Sequence, residues 1–418
     1  MSFKHFITNY QKLIIYQLNL AKMKKLFLTV SACAALAMSL TFMSCGTDTP
    51  VVSKNPVDVL IEQGVLNGAL DHDVTLDAAK TYSLAGTFTI KNGASLTIPA
   101  GTTIKASEGF GSYIITERGG KIFIDGTADK PVTMTAAANN PSAGYWGGLI
   151  LNGKAKISGP NGVLAESSCE MNTDVKYGGN DDNDSSGSIT YLKILYAGAR
   201  SSAEVEHNGF TLDAVGSGTK IENVYILESA DDGIEFFGGT VNVKNLLVVN
   251  SDDDMFDNTQ GYRGTWENFY GIWDKGYTST ESDPRGIESD GNLDGKTPDD
   301  VNQTAFTVKN MTIDLKLDYN TASQATFMQD VIKIRRGAKA TITNALAKGS
   351  GAVQDFVDCT DSKGDAAAGT AINITRSLSN PITGTEKKPG ANNATINVAA
   401  GNTGCPSNIF AWTGYTNF

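Results

Sequence analysis

Short alternations of apolar and polar residues dominate the chain from about residue 64 onward. Ser95-Leu96-Thr97-Ile98, Lys121-Ile122-Phe123-Ile124 and Pro131-Val132-Thr133-Met134 each place apolar side chains on one face of an extended segment, and Gly, Asn and Asp break the chain between such segments. No stretch of this region sustains a 3.6-residue apolar period long enough for a packed helix. The pattern therefore predicts a nearly all-β body.

The segments also repeat. Ile221-Glu222-Asn223-Val224-Tyr225-Ile226-Leu227-Glu228-Ser229 aligns with Val243-Lys244-Asn245-Leu246-Leu247-Val248-Val249-Asn250-Ser251 at an offset of 22. An Asn followed by apolar residues recurs at Asn268, Asn310 and Asn344. Earlier, Asn92-Gly93-Ala94-Ser95-Leu96-Thr97-Ile98 matches Arg118-Gly119-Gly120-Lys121-Ile122-Phe123-Ile124 at an offset of 26. A repeat near 22 residues with Asn at a fixed point predicts a parallel β-helix over residues 64–418, an all-β solenoid of stacked coils. Asn tolerates left-handed backbone angles, and its amide can bond the Asn of the next coil, so these residues are expected to form a structural ladder. Larger insertions are expected at 164–188 and 274–300, both rich in Gly, Asp, Asn and Ser.

The N-terminus has a different character. Met23-Lys24-Lys25 opens a basic stretch that runs into apolar residues up to Met43, the pattern of a secretory signal. Residues 1–44 are read as the signal region, with Met23 as the expected initiator and a long basic leader as the alternative. Ser44-Cys45-Gly46 closes it in the manner of a bacterial lipobox, in which Cys45 would be acylated. Phe42 departs from the Leu usual there, and simple cleavage beside an incidental Cys is the other reading. Residues 45–63 then read as a lipidated tether.

Charge narrows the partners. Residues 1–44 carry five Lys and no acid, so the remainder holds 29 basic against 45 acidic residues, a balance of −16. That excludes a nucleic-acid footprint and suits cations, neutral glycans or cationic partners. Three Cys follow Cys45, and Cys359–Cys405 is the disulfide expected from their polar, turn-rich setting. His is too scarce, at three residues, for a His-based metal or catalytic centre.

Several motifs resemble a family of secreted right-handed parallel β-helix-type lipoproteins of Gram-negative bacteria. They are Gly144-Tyr145-Trp146-Gly147-Gly148-Leu149-Ile150, Ala230-Asp231-Asp232-Gly233-Ile234-Glu235-Phe236-Phe237-Gly238-Gly239, Asp252-Asp253-Asp254-Met255-Phe256-Asp257 with Gly261-Tyr262-Arg263-Gly264, and Asp283-Pro284-Arg285-Gly286-Ile287-Glu288-Ser289-Asp290. The resemblance implies fold and export, with an outer-membrane lipid anchor facing the surface or the periplasm. It brings no activity to carry over residue by residue. Asn258-Thr259 departs from the Trp-Asp that such proteins often carry.

The offset of 22 stacks Asp231 on Asp253, Asp232 on Asp254 and Glu235 on Asp257. At the strand spacing of about 4.8 Å, each pair of charges repels by roughly 1 kcal/mol in water and about 3.5 kcal/mol at an effective dielectric of 20. A bound cation, raised pKa values or splayed side chains would each relieve the cluster, and an all-oxygen donor set suits Ca²⁺. Asp283, Arg285, Glu288, Asp290 and Asp294 in the second insertion could extend it, or else form a solvated loop. Trp266, Tyr270 and Trp273 are candidate sugar-stacking platforms, or else core. Lys333 and Arg335 share one strand face.

In polysaccharide lyases built on β-helices, Ca²⁺ neutralises a uronate and an Arg or Lys removes the proton, and both residue types occur here. The Gly-His-Gly element of pectinase-type hydrolases is absent. The sequence thus favours a non-catalytic binding or adhesion module for glycan or an envelope protein, with structural Ca²⁺. A Ca²⁺-dependent lyase or glycosidase is the alternative, and a purely structural envelope component a third.

Overall fold

The computed structural model describes residues 54–202, 205–323 and 326–418. The signal region, Met23 and Cys45 lie outside the described residues. From residue 65 the chain winds into a parallel β-helix whose strands belong to one continuous sheet of 24 strands.

The offset of 22 is the physical register. Ile221 pairs with Val243, Val224 with Leu246 and Ile226 with Val248, all in parallel strands. In the early coils Ser95 pairs with Lys121 and Ile98 with Ile124, the offset of 26. Each central coil has two strands, of which the second is the shorter in most coils, though Phe327–Arg335 is as long as Thr265–Trp273. The first strands are Lys220–Ser229, Asn242–Ser251, Thr265–Trp273, Ala305–Leu315 and Lys339–Gly349. The second strands are Phe210–Asp213, Ile234–Phe237, Phe256–Thr259, Arg285–Asp290, Phe327–Arg335 and Ala352–Asp358, and they stack in that order into one face.

The ladder is real. Asn223, Asn245, Asn268, Asn310 and Asn344 all have φ between 53° and 61° and bend the first strands. Each amide of the last four donates to the Asn before it, at 2.9, 2.8, 2.9 and 2.8 Å. The steps between rungs are 22, 23, 42 and 34 residues, so coil length varies while the corner is kept. Asn245→Ala would delete both rungs and place a β-carbon in a left-handed conformation. It is expected to cost about 2–3 kcal/mol by urea denaturation; a loss below about 0.5 kcal/mol would show that the ladder is decorative.

The core is apolar and close-packed. Trp266 lies parallel to Phe269, with ring centroids 5.2 Å apart and planes 8° apart. Two satellite clusters sit on the outer faces. One lies under the segment 155–177, with Ile115, Ile150, Cys169, Tyr177 and Phe237. The other lies under residues 405–418, where Phe410 covers Tyr225, Leu247 and Tyr270.

Four expectations are corrected. Residues 56–62, read as the end of a tether, form a helix, Pro56–Glu62. Asn55 caps it by accepting from the Val57 N–H at 3.1 Å, and Val57 and Ile61 are buried in the core. A solenoid end exposes apolar edges, and this helix shields them. Second, the region 274–300 is not one insertion, because Arg285–Asp290 is a coil strand pairing on both sides. Third, Cys359 and Cys405 form no disulfide: they are free buried thiols in separate clusters, as Cys169 is in a third. Fourth, Trp266, Tyr270 and Trp273 cannot serve as sugar platforms. Trp266 and Trp273 are core residues, and Tyr270 lies beneath Phe410 and Phe418.

Candidate acidic cleft

Alternation on the second strands builds the site. Phe210, Ile234, Phe256, Ile287, Ile332 and Val357 stack inward as one column. The outward column reads Thr211, Glu235, Asp257, Glu288, Lys333, Asp358 and Lys388. Beside it, Asp290 pairs in register with Arg335. Acids therefore collect on the central coils, and cations enter from the later ones.

The corners that precede these strands add Asp231, Asp232, Asp253 and Asp254. The backbone N–H of Asp254 donates to Asp232 at 2.9 Å, which locks the two corners 22 residues apart. Carboxylate oxygens of Asp231, Asp232 and Asp253 lie within 4.8 Å of one another, as do those of Asp232, Glu235 and Asp257. Five of the six acids expected from the offset thus converge, and Asp232 belongs to both triads; Asp254 stands outside them and is tied to Asp232 through its backbone N–H.

This cleft, about 310 Å³, is lined by eleven acids against Arg285 and Arg335. Arg285 is buried and answers Asp330 at 3.1 Å, Asp283 at 2.5 Å, Asp254 at 4.0 Å and also Glu288. Arg335 bonds Asp290 at 2.7 Å and Glu288, and Arg336 bonds Asp290 at 2.5 Å. Glu288 and Asp290, expected as ligand contacts, are instead held by arginines. The nearby acids Asp330, Asp355 and Asp358 also converge, but Arg285, Lys333 and Lys388 pair with them.

Among the described residues, the 4.0 Å approach of Arg285 to Asp254 is the one ion pair that reaches the corner acids. Buried oxygens of Asp253, Asp254 and Asp257 accept no hydrogen bond, and Asp254 is only 3% exposed. Burial raises the whole set. Asp231, Asp232, Glu235 and Asp254 are held well above the ordinary carboxylate range by burial and then by neighbouring acids, Asp253 for the first and last, Asp231 for Asp232 and Asp257 for Glu235. Burial lifts Asp253 to about 7, against the pull of Arg285, and Asp257 to about 6, against its bond with Glu235 and the charge of Arg335. Burial also lifts Asp290 to about 7 despite Arg336. Arg335 falls to about 10 through burial and the neighbouring Arg285 and Arg336.

A longer cleft of about 480 Å³ continues along the same outer face. It runs from Asp213, Cys169, Tyr177 and Phe237 past Glu235 and Asp257 to Arg335 and Arg336. Asp213 and Arg336 lay outside the set expected from sequence. Alternation did put Asp213 outward, but nothing in the sequence tied it to the insertion that covers it.

The fold and the cleft define a parallel β-helix with a buried carboxylate site on one face. Residues 68–414 match the family model described as a pectate-lyase-like β-helix domain, and the chain belongs to that family. Among solved structures, the Dettilon tailspike protein is similar at 12% identity and a TM-score of 0.31, over 82% of this chain and 64% of the tailspike chain. The chain thus spans less than two-thirds of that protein's length. No curated protein matches the chain.

Proposed function

We propose that the chain is a glycan-binding β-helix module of the cell envelope, tethered through Cys45, whose corner acids hold a divalent cation that completes its coordination with glycan oxygens. The observation that carries this reading is the convergence of Asp231, Asp232 and Asp253 beside unpartnered buried oxygens of Asp253 and Asp254. Uncompensated buried carboxylates are costly, and a cation relieves them. The donors are all oxygen, which suits Ca²⁺, a cation that takes six to eight such ligands. Ligand oxygens would supply those that the protein does not. Membership of a pectate-lyase-like family favours carbohydrate as the ligand.

A lyase is the second reading, favoured by the lowered pKa of Arg335 beside the acids. Its guanidinium is already committed to Glu288 and Asp290, so it is poorly placed to take a substrate proton. That commitment supports binding over catalysis.

Millimolar Ca²⁺ is expected to raise the melting temperature by about 5 °C, since saturation at a hundredfold over Kd contributes about 2.7 kcal/mol. The Asp253→Ala, Asp254→Ala double variant should melt cooperatively and lose that response. No shift in the wild-type chain would sink the cation. Oligogalacturonate should bind in Ca²⁺ and not in chelator, without forming an unsaturated product detectable by ultraviolet absorbance. Product formation would favour the lyase instead.

A further inference from the structure

The far end of the longer cleft differs from the cation corner. Asp213 stands on the outer face of its strand, flanked in register by Asn152 and Phe237. It is 2% exposed, and its Oδ2 has no partner. The adjoining walls mix aromatic and sulfur side chains, Phe237, Tyr177, Met171 and Cys169, with the polar Ser167, Ser168, Thr211 and Glu170. The Tyr177 and Phe237 rings are 6.4 Å apart, and the Tyr177 hydroxyl is already spent on Gln260 at 2.6 Å. Glu235 is the diagonal neighbour of Asp213 on the adjacent strand and accepts from Asn208 at 2.6 Å. The arginines of the cleft lie at its other end and are engaged with Glu288 and Asp290.

We propose that this end of the cleft is a subsite for a primary ammonium, placed between Asp213 and Glu235 against the ring of Phe237, and that the glycan it takes is an amino sugar with a free amine. The proposal rests on the reading of the cleft as a glycan site. An ammonium brings three donors and a charge, which answer the open Oδ2 of Asp213, a carboxyl otherwise bonded to the Cys169 side chain, while aromatic faces favour the same cation. Ca²⁺ suits the place less well, because Asp213 lies outside both carboxylate triads. Burial pushes Asp213 up to about 8, which agrees with a carboxyl awaiting a counter-charge. Ammonium binding would ionise it.

Calorimetric titration of the protein with glucosamine oligomers, their N-acetylated counterparts and oligogalacturonate tests this, in Ca²⁺ and in chelator. The free-amine oligomer should bind about tenfold more tightly than the acetylated one, in the range of a desolvated charge pair. Asp213→Asn keeps the shape and should abolish that preference with little change in melting temperature. Equal binding of the two oligomers overturns the ammonium subsite and leaves the glycan reading standing, and so does a preference that survives in the Asn variant. Binding of oligogalacturonate alone has the same meaning. If no oligomer binds, both readings fall. The acetylated control needs no variant, so misfolding of Asp213→Asn would not protect the proposal.

Discussion

Replacing Arg285 with Met is expected to destabilise the protein by about 3–5 kcal/mol, the cost of removing one partner from a buried ion cluster. Arg285 reaches both the corner acids and the later coils, touching Asp254 on one side and Asp330 on the other. Met preserves length and most of the volume, so the loss reports charge and hydrogen bonding more than packing. Asp330, 1% exposed, would lose its Arg285 bond while its other oxygen is already unpartnered. Urea denaturation at neutral pH measures the loss. Acidification to about pH 5 should recover part of it, because protonated carboxyls no longer need the guanidinium. A variant as stable as the parent, with no pH-dependent recovery, would mean that the cluster is already neutral without Arg285.

Much of this site was legible in the residues themselves. The ladder fixed the offset, since one Asn per coil at one corner admits a single register for its neighbours. That register placed Glu235 on Asp257 and brought the corner aspartates together. Other parts were hidden for physical reasons. Arg285–Asp290 reads as loop because its inward positions include Ser289, whose hydroxyl donates to the inward Asn258 at 2.7 Å in place of apolar packing. The link from Arg335 to Asp290 spans 45 residues, across a coil with extra residues between the strands Ala305–Leu315 and Phe327–Arg335, and no repeat counts that distance. The residue types left Trp266, Tyr270 and Trp273 between platform and core, although the register held the answer for Trp266. Trp266 pairs with Val243 and Val308, both core positions, and an offset of 23 from Val243 would have turned it inward. Tyr270 does point outward, and only the return of residues 405–418 across that face buries it.

In chelator the protein is expected to lose stability as pH rises from about 5 to 8, the reverse of the trend for acids held by salt bridges. A carboxyl whose folded pKa is raised binds its proton more tightly in the folded state. Its contribution is complete below the unfolded value near 4 and is lost as pH climbs through the folded value. Those folded values are about 6 for Asp257 and Asp330, about 7 for Asp253 and Asp290, and about 8 for Asp213. Asp283, Asp358 and Asp361 act the other way. Burial raises them less than their partners lower them, Arg285 for the first, Lys333 for the second, and the Lys363 backbone N–H with Arg336 for the third. Their stabilisation is present above the unfolded value and is lost only as pH falls below about 4. The two sets together place the metal-free optimum near pH 5. Ca²⁺ competes with protons for the same oxygens, so its stabilising effect should be larger at pH 8 than at pH 5, and saturating metal should flatten the profile. Melting temperatures across this range, with chelator and with Ca²⁺, give both trends. A metal-free profile that rises from pH 5 to 8 would show that the corner acids are ionised and splayed into solvent. The buried oxygens of Asp253 and Asp254 would then have no cation to explain them.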